Sequence, residues 1–236
     1  MSGRVVAVEG ASASGKTTAV GTAARRSGWT VVTEAYHRID PRPSLEFRSS
    51  DELVDLERRL LEEDARRYSE ARGLADGGAT VLADTGFLGP LTYTSALVAT
   101  GAAPPAALAS VVGLARMLQA RGAWDLADVY LYLDTPSSIR SARARADPSG
   151  HPADLTARHA RIGDVEHRFY AEEFAPLLGD RFRWVSGAGP ASVVAGRVVD
   201  AVRETAALPV RDVSVTALLA VFDARIGASD SSRGNR

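Results

Sequence analysis

Short runs rich in β-branched residues alternate along the chain with longer stretches in which apolar residues recur every three or four positions. The first pattern is that of strands and the second that of helices. Their alternation predicts an α/β domain with a mainly parallel sheet. Five strands are expected, at residues 4–8, 29–33, 79–83, 129–133 and 182–185. Helices are expected at residues 16–26, 91–99, 105–120, 161–178, 192–205 and 212–226. A long helix belongs between the second and third strands. There Ser49 and Glu52 have the spacing of a capping box, and Leu53, Leu56 and Leu60 follow at helical intervals. From residue 228 the chain is small, polar and glycine-containing, and is expected to fray.

The strand-like run RVVAV leads into GASASGKT at residues 10–17, which fits G-x-x-x-x-G-K-[ST]. A strand before the motif and a helix after it is the context in which a P-loop works. Gly10 and Gly15 permit the backbone angles that turn successive N–H groups inward, and the helix N-terminus adds partial positive charge. Gly10, Ala11, Ser12, Ala13, Ser14, Gly15, Lys16, Thr17 and Thr18 are therefore the expected nucleotide-binding residues, with ATP as the ligand. Lys16 is expected to bridge the β- and γ-phosphates, and the Thr17 hydroxyl to coordinate Mg²⁺.

A magnesium site also needs a carboxylate. TVLAD ends at Asp84 and VYLYLD at Asp134, so two strand-terminal acids compete; the reading favours Asp84. Glu34 closes the second strand and is expected at the same sheet edge, where it would accept the proton of an attacking hydroxyl. The segment after it carries Tyr36, His37, Arg38 and Arg42 among prolines and is read as a substrate loop. Arg140, Arg143 and Arg145 crowd the helix after Asp134, with Arg140 and Arg143 on one face, as arginines that close over ATP. None of the four histidines pairs with another at metal-ligand spacing, and Trp29, Trp124 and Trp184 are expected in the core.

Composition narrows the picture further. Among 236 residues there is no cysteine, which excludes disulfides and thiolate metal sites. A formal net charge of −1 gives no reason to expect nucleic-acid binding. No apolar run approaches the roughly 20 residues that span a bilayer, and the N-terminus lacks the plan of a secretory signal, so a cytoplasmic protein without membrane contact is expected. Lys16 is the only lysine in a chain whose other basic positions are arginine. A position that keeps lysine against that bias needs a compact ammonium on a flexible stem.

With the P-loop, Glu34, Asp84 and the segment IRSARARAD in this order, the chain resembles the nucleoside and nucleotide kinases, including thymidylate kinase and the deoxynucleoside kinases, over residues 4–205. The resemblance implies a three-layer α/β P-loop kinase fold: a five-stranded parallel sheet flanked by helices, an arginine-rich lid after the fourth strand, and a homodimer. On this plan residues 1–208 form the kinase domain, with the lid at about 137–160, a C-terminal helix within 209–228 and a tail at 229–236. The chain departs from the thymidylate kinase pattern at Ser12, where those enzymes carry an acid, and at Thr85, where both groups carry an arginine. The expected activity is transfer of the γ-phosphate of ATP to a hydroxyl of a nucleoside-like or other small acceptor. Two rivals are a nucleoside monophosphate kinase and an ATP-binding switch module whose partner surface is the C-terminal helix.

Overall fold

The computed structural model describes residues 3–44, 46–146, 153–205 and 214–231. Five strands, β1 (Arg4–Glu9), β2 (Thr30–Val32), β3 (Thr80–Asp84), β4 (Val129–Asp134) and β5 (Phe182–Ser186), form one sheet in the order β2-β3-β1-β4-β5. Every pairing is parallel. The P-loop strand β1 lies at the centre, so β3 and β4 both flank it and both acids proposed for the metal stand beside the loop. This sheet order, with its helices on both faces, is the three-layer α/β arrangement expected from the sequence.

The strands read as unbroken apolar runs because both sheet faces are covered. Val5 and Ala7 of β1 face the larger core, formed with α2 (Ser50–Asp76), α3 (Gly89–Ala99), α4 (Pro105–Ala120) and the C-terminal helix. Val6 and Val8 face the other core, against α1 (Lys16–Ser27) and α8 (Ala191–Thr205). The lid arginines lie on α5 (Ser137–Ala146), which is followed by α6 (Ala153–Phe169).

Helix α2 starts where the capping box places it, with the Ser49 hydroxyl accepting the Glu52 backbone N–H at 3.2 Å. Its apolar stripe runs through Leu53, Leu56 and Leu61, with Leu60 only partly buried. The helix expected at 161–178 is three pieces. α6 reaches back to residue 153, a π turn covers Tyr170–Phe174, and α7 (Ala175–Leu178) completes it. Tyr170 and Phe174, at the two ends of the π turn, are both buried in the core.

The final helix, α9 (Val215–Ser231), continues into the segment expected to fray. Val215, Leu218, Leu219 and Phe222 are buried in the large core, which ties it to α3 and α4. That apolar face is therefore used within the chain and is not the exposed partner surface the switch reading needs. Trp124 is buried as expected and Trp29 partly so, whereas Trp184 is 42% exposed because its β5 position lies on the edge strand. Among the described residues no helix is long and apolar enough to cross a membrane.

Candidate functional site

The loop after β1 adopts the strained backbone that its sequence allows. Gly10, Ala13 and Gly15 have φ of 144°, 60° and 94°, and α1 begins at Lys16. Successive residues of this kind aim their N–H groups into one concavity at a helix N-terminus, a site for polyanions. A side chain at Gly10 would strike the Ser14 hydroxyl and the Leu133 carbonyl. The ammonium of Lys16 curls over the loop and donates to the carbonyls of Gly10 at 2.6 Å and Ala11 at 3.3 Å. Ser12, Thr17 and Thr18 are exposed beside it.

The two strand-terminal acids differ in setting. Asp84 is 2% exposed and its Oδ1 has no hydrogen-bond partner. Burial raises its pKa, opposed by a hydrogen bond from the Thr17 hydroxyl and by the charge of Lys16. Asp134 has a side chain 54% exposed and faces His167 at 3.4 Å. Only Asp84 thus turns toward the loop residues Lys16 and Thr17. The Glu34 side chain, 34% exposed, acts electrostatically on Asp84, which places it at the same edge.

Two of the three lid arginines engage the loop region. Arg143 donates to the Ser14 carbonyl at 2.5 Å and to the Gly187 carbonyl at 3.1 Å, joining the P-loop to the turn after β5. Arg140 donates to the Thr135 carbonyl at 3.2 Å and pairs with Asp164 of α6 at 2.8 Å. Arg145 is exposed and makes no hydrogen bond or ion pair among the described residues. The flanking residues 147–152 lie outside those described. In the expected substrate loop, Arg38 is tied to Glu63 at 2.9 Å and Glu70 at 2.7 Å on α2, so it braces the loop. His37 approaches Glu34 at 3.8 Å, and Tyr36 packs edge-on against His37. Arg42 is exposed.

Several charged residues of the site were not expected. Arg67 of α2 is 0% exposed; it pairs with Asp64 and donates to the carbonyls of Asp84 at 2.8 Å and Thr85 at 2.7 Å. It braces the turn in which Thr85 has a φ of 58°. A cation therefore does stand beside Thr85, but its donors go to Asp64 and to backbone carbonyls. Glu9, Glu57, Asp64 and Glu166 also converge here: burial pushes Glu9, Asp64 and Glu166 each up to about 7 and raises Glu57 well above the carboxylate range. Lys16 opposes the shift of Glu9 and Glu166. Gly86 permits this packing, since a Cβ there would lie 2.1 Å from Glu9 Oε1. The signal was present in α2, where Glu57 and Asp64 follow Leu53 at the helical period of its core face.

A family model described as an AAA domain matches residues 5–168. The chain belongs to the AAA-domain family. The match takes in the P-loop, Asp84 and the lid arginines of this AAA-domain protein. Its fold is shared with deoxyadenosine kinase from M. mycoides. The dATP-bound structure of that enzyme superposes with a TM-score of 0.64 at 11% identity, covering 85% of this chain and 99% of that one. The structure with dCMP and a flexible dCDP as products gives 0.63 at 11% identity and the same coverage. At that identity the likeness is one of fold. No curated protein matches the chain in sequence.

Proposed function

We propose that this protein is an ATP-dependent kinase that transfers the γ-phosphoryl group to a hydroxyl of a small molecule. The observation that carries the reading is Asp84: a buried carboxylate at the C-terminal edge of β3, one oxygen unpartnered, set against Thr17 and Lys16 of the P-loop. An acid and a P-loop hydroxyl in that relation fit the ligand set of a nucleotide-bound Mg²⁺, which takes few protein ligands besides phosphate oxygens. Thr17 and Asp84 would hold the ion, whose charge would offset that of the β- and γ-phosphate oxygens.

The loop N–H groups and Lys16 bind and orient the phosphates. Arg143, resting on the loop, and Arg140 stand on the lid side, where cations stabilise charge developing on the transferring group. In the transfer the bond between the γ-phosphorus and the β–γ bridging oxygen breaks as the acceptor oxygen bonds to that phosphorus. The hydroxyl proton passes to Glu34. A phosphate acceptor is already a nucleophilic anion and needs surrounding cations more than a base. The acid-rich surroundings of Lys16 favour the hydroxyl acceptor on this ground.

The experiment is ADP formation with MgATP against matched nucleosides, their 5′-monophosphates and other hydroxyl compounds. Hydroxyl compounds should be consumed and monophosphates spared. Glu34→Gln should lower kcat by about 10²–10⁴-fold, the usual contribution of a general base, with the Kd for ATP unchanged. Efficient use of monophosphates with a silent Glu34→Gln would replace this reading by a nucleotide kinase. Slow ATP hydrolysis unaffected by every acceptor would replace it by the switch module.

A further inference from the structure

A cavity of about 510 Å³ opens between α6, the turn joining α3 to α4, and the end of the segment that follows Glu34. Among the described residues its walls are Arg158, Arg161 and Ile162 of α6, Thr100 and Ala102 of the turn, and Phe47. None of these is acidic. Ile162 is buried in a third, small core that joins the start of α2 to α3 and α4, and Phe47 packs against that core, so one side of the cavity is apolar.

The other side is Arg158. Its guanidinium lies 4.5 Å over the Phe47 ring, which covers one flat face and leaves the edges. Nε and Nη2 are buried without a hydrogen-bond partner, and no ion pair of Arg158 occurs among the described residues. Tyr93 stands beside it, and its OH likewise makes no hydrogen bond of normal geometry. Nε and Nη2 share one edge of the guanidinium, from which their N–H groups project in parallel. That edge matches the two oxygens of a carboxylate. Buried donors of a charged group left this way call for an explanation, and a ligand from outside the chain supplies one. The Thr100 hydroxyl gives its proton to the carbonyls of Ala96 at 2.9 Å and Leu97 at 3.1 Å, so recognition of an anion falls to Arg158. Arg161 is exposed and adds only screened charge. One guanidinium balances one negative charge, whereas a phosphate ester brings nearly two.

The cavity adjoins the P-loop through α6. Gly163, next to Ile162, packs so closely that a Cβ there would lie 2.9 Å from the Ala11 Cβ. We propose that the cavity holds one end of the acceptor of the kinase proposed above, and that this acceptor is a hydroxy acid. Its carboxylate is taken by the Nε–Nη2 edge of Arg158, its apolar body rests on Phe47 and Ile162, and its hydroxyl is directed toward Glu34. The inference rests on the phosphotransfer reading for its link to ATP, while the carboxylate site stands on the cavity alone.

The test uses three acids that carry hydroxyl and carboxylate at opposite ends: 5-carboxyuridine, 3-(4-hydroxyphenyl)propionate and 4-(hydroxymethyl)phenylacetate. Each is run beside its methyl ester, with benzyl phosphate as the phosphate counterpart. Calorimetry without nucleotide should give the best acid a Kd at least about tenfold below that of its ester, the scale of a hydrogen bond to a charged group, and below that of benzyl phosphate. Arg158→Lys should remove most of that ratio, since an ammonium keeps the charge and loses the parallel edge. Ala102→Trp, at an exposed position of the turn, should fill the cavity and abolish acid binding with the Kd for ATP unchanged; it decides the matter should Arg158→Lys not fold. With MgATP the acid that binds best should support ADP formation with a kcat/KM at least about tenfold above its ester. Esters or benzyl phosphate bound as tightly as the acids, no binding of any acid, or binding untouched by both variants overturns the inference, and phosphotransfer is then decided by the acceptor screen above. Acids that bind as expected but form no ADP overturn the acceptor role if other hydroxyl compounds in that screen are phosphorylated. If none is, phosphotransfer is what fails and the carboxylate site stands.

Discussion

Two aspartates end strands on either side of β1, and their surroundings separate them. Asp84 is held against Thr17 and Lys16 with an oxygen unpartnered, whereas Asp134 turns to solvent and His167. Asp84→Asn should raise the Mg²⁺ concentration needed for half-maximal turnover and slow transfer by about 10–100-fold, the scale of disturbing a metal's supporting shell. Asp134→Asn should change neither by more than a small factor, and Mg²⁺ titrations of the two variants give the ranking. The sequence alone named both residues because a strand-terminal acid looks the same whichever way its side chain turns. The P-loop residues were legible for the opposite reason: fixed spacing between glycines and Lys16 specifies a backbone shape directly. Arg67 was not legible, and Glu57 was passed over although it falls on the core face of α2, because a charge on a helix is ordinarily solvated.

At the scale of elements, α2 carries more of the site than its length and capping box suggest. Through Arg67 it fixes the turn after β3, and through Arg38 it braces the segment after Glu34. Arg67→Ala would strand the buried Asp64 and the carbonyls of Asp84 and Thr85. It should destabilise the protein by about 3–5 kcal/mol, as breaking a buried ion pair does. Arg67→Lys should recover little of this, since one ammonium cannot reach in plane the partners of a guanidinium fork. Denaturant unfolding of both variants measures the loss, and a fully stable Arg67→Lys would contradict the bracing role. Strands and most helices were legible from periodicity and capping. The helix over 161–178 was legible as well, but not its start at residue 153 or the π turn inside it, since Tyr170 and Phe174 keep a spacing that an ordinary helix also gives.

For the whole molecule the buried acids set a pH dependence whose sign runs against the usual one. Glu9 and Glu166 rise from 4.5, and Asp64 from 3.8, to about 7, so between those values the folded chain holds protons that the unfolded chain releases. Stability is then greatest near the lower end of that window and falls as pH rises through 7. Calorimetric Tm values should fall from pH 5 to pH 8, and Glu57→Gln should flatten the slope by removing one such group. A Tm that climbs over this range would refute the assignment. The sheet order has a temporal consequence of its own. Residues 4–9 come off the ribosome well before their neighbours in the sheet, residues 80–84 and 129–134. At a translation rate of about 5–20 residues per second, an apolar segment waits for roughly 6–25 s before its second neighbour has been synthesised. During that interval Val5, Val6 and Val8 have no native cover on one side, so β1 is an exposed apolar segment of the kind a chaperone shields.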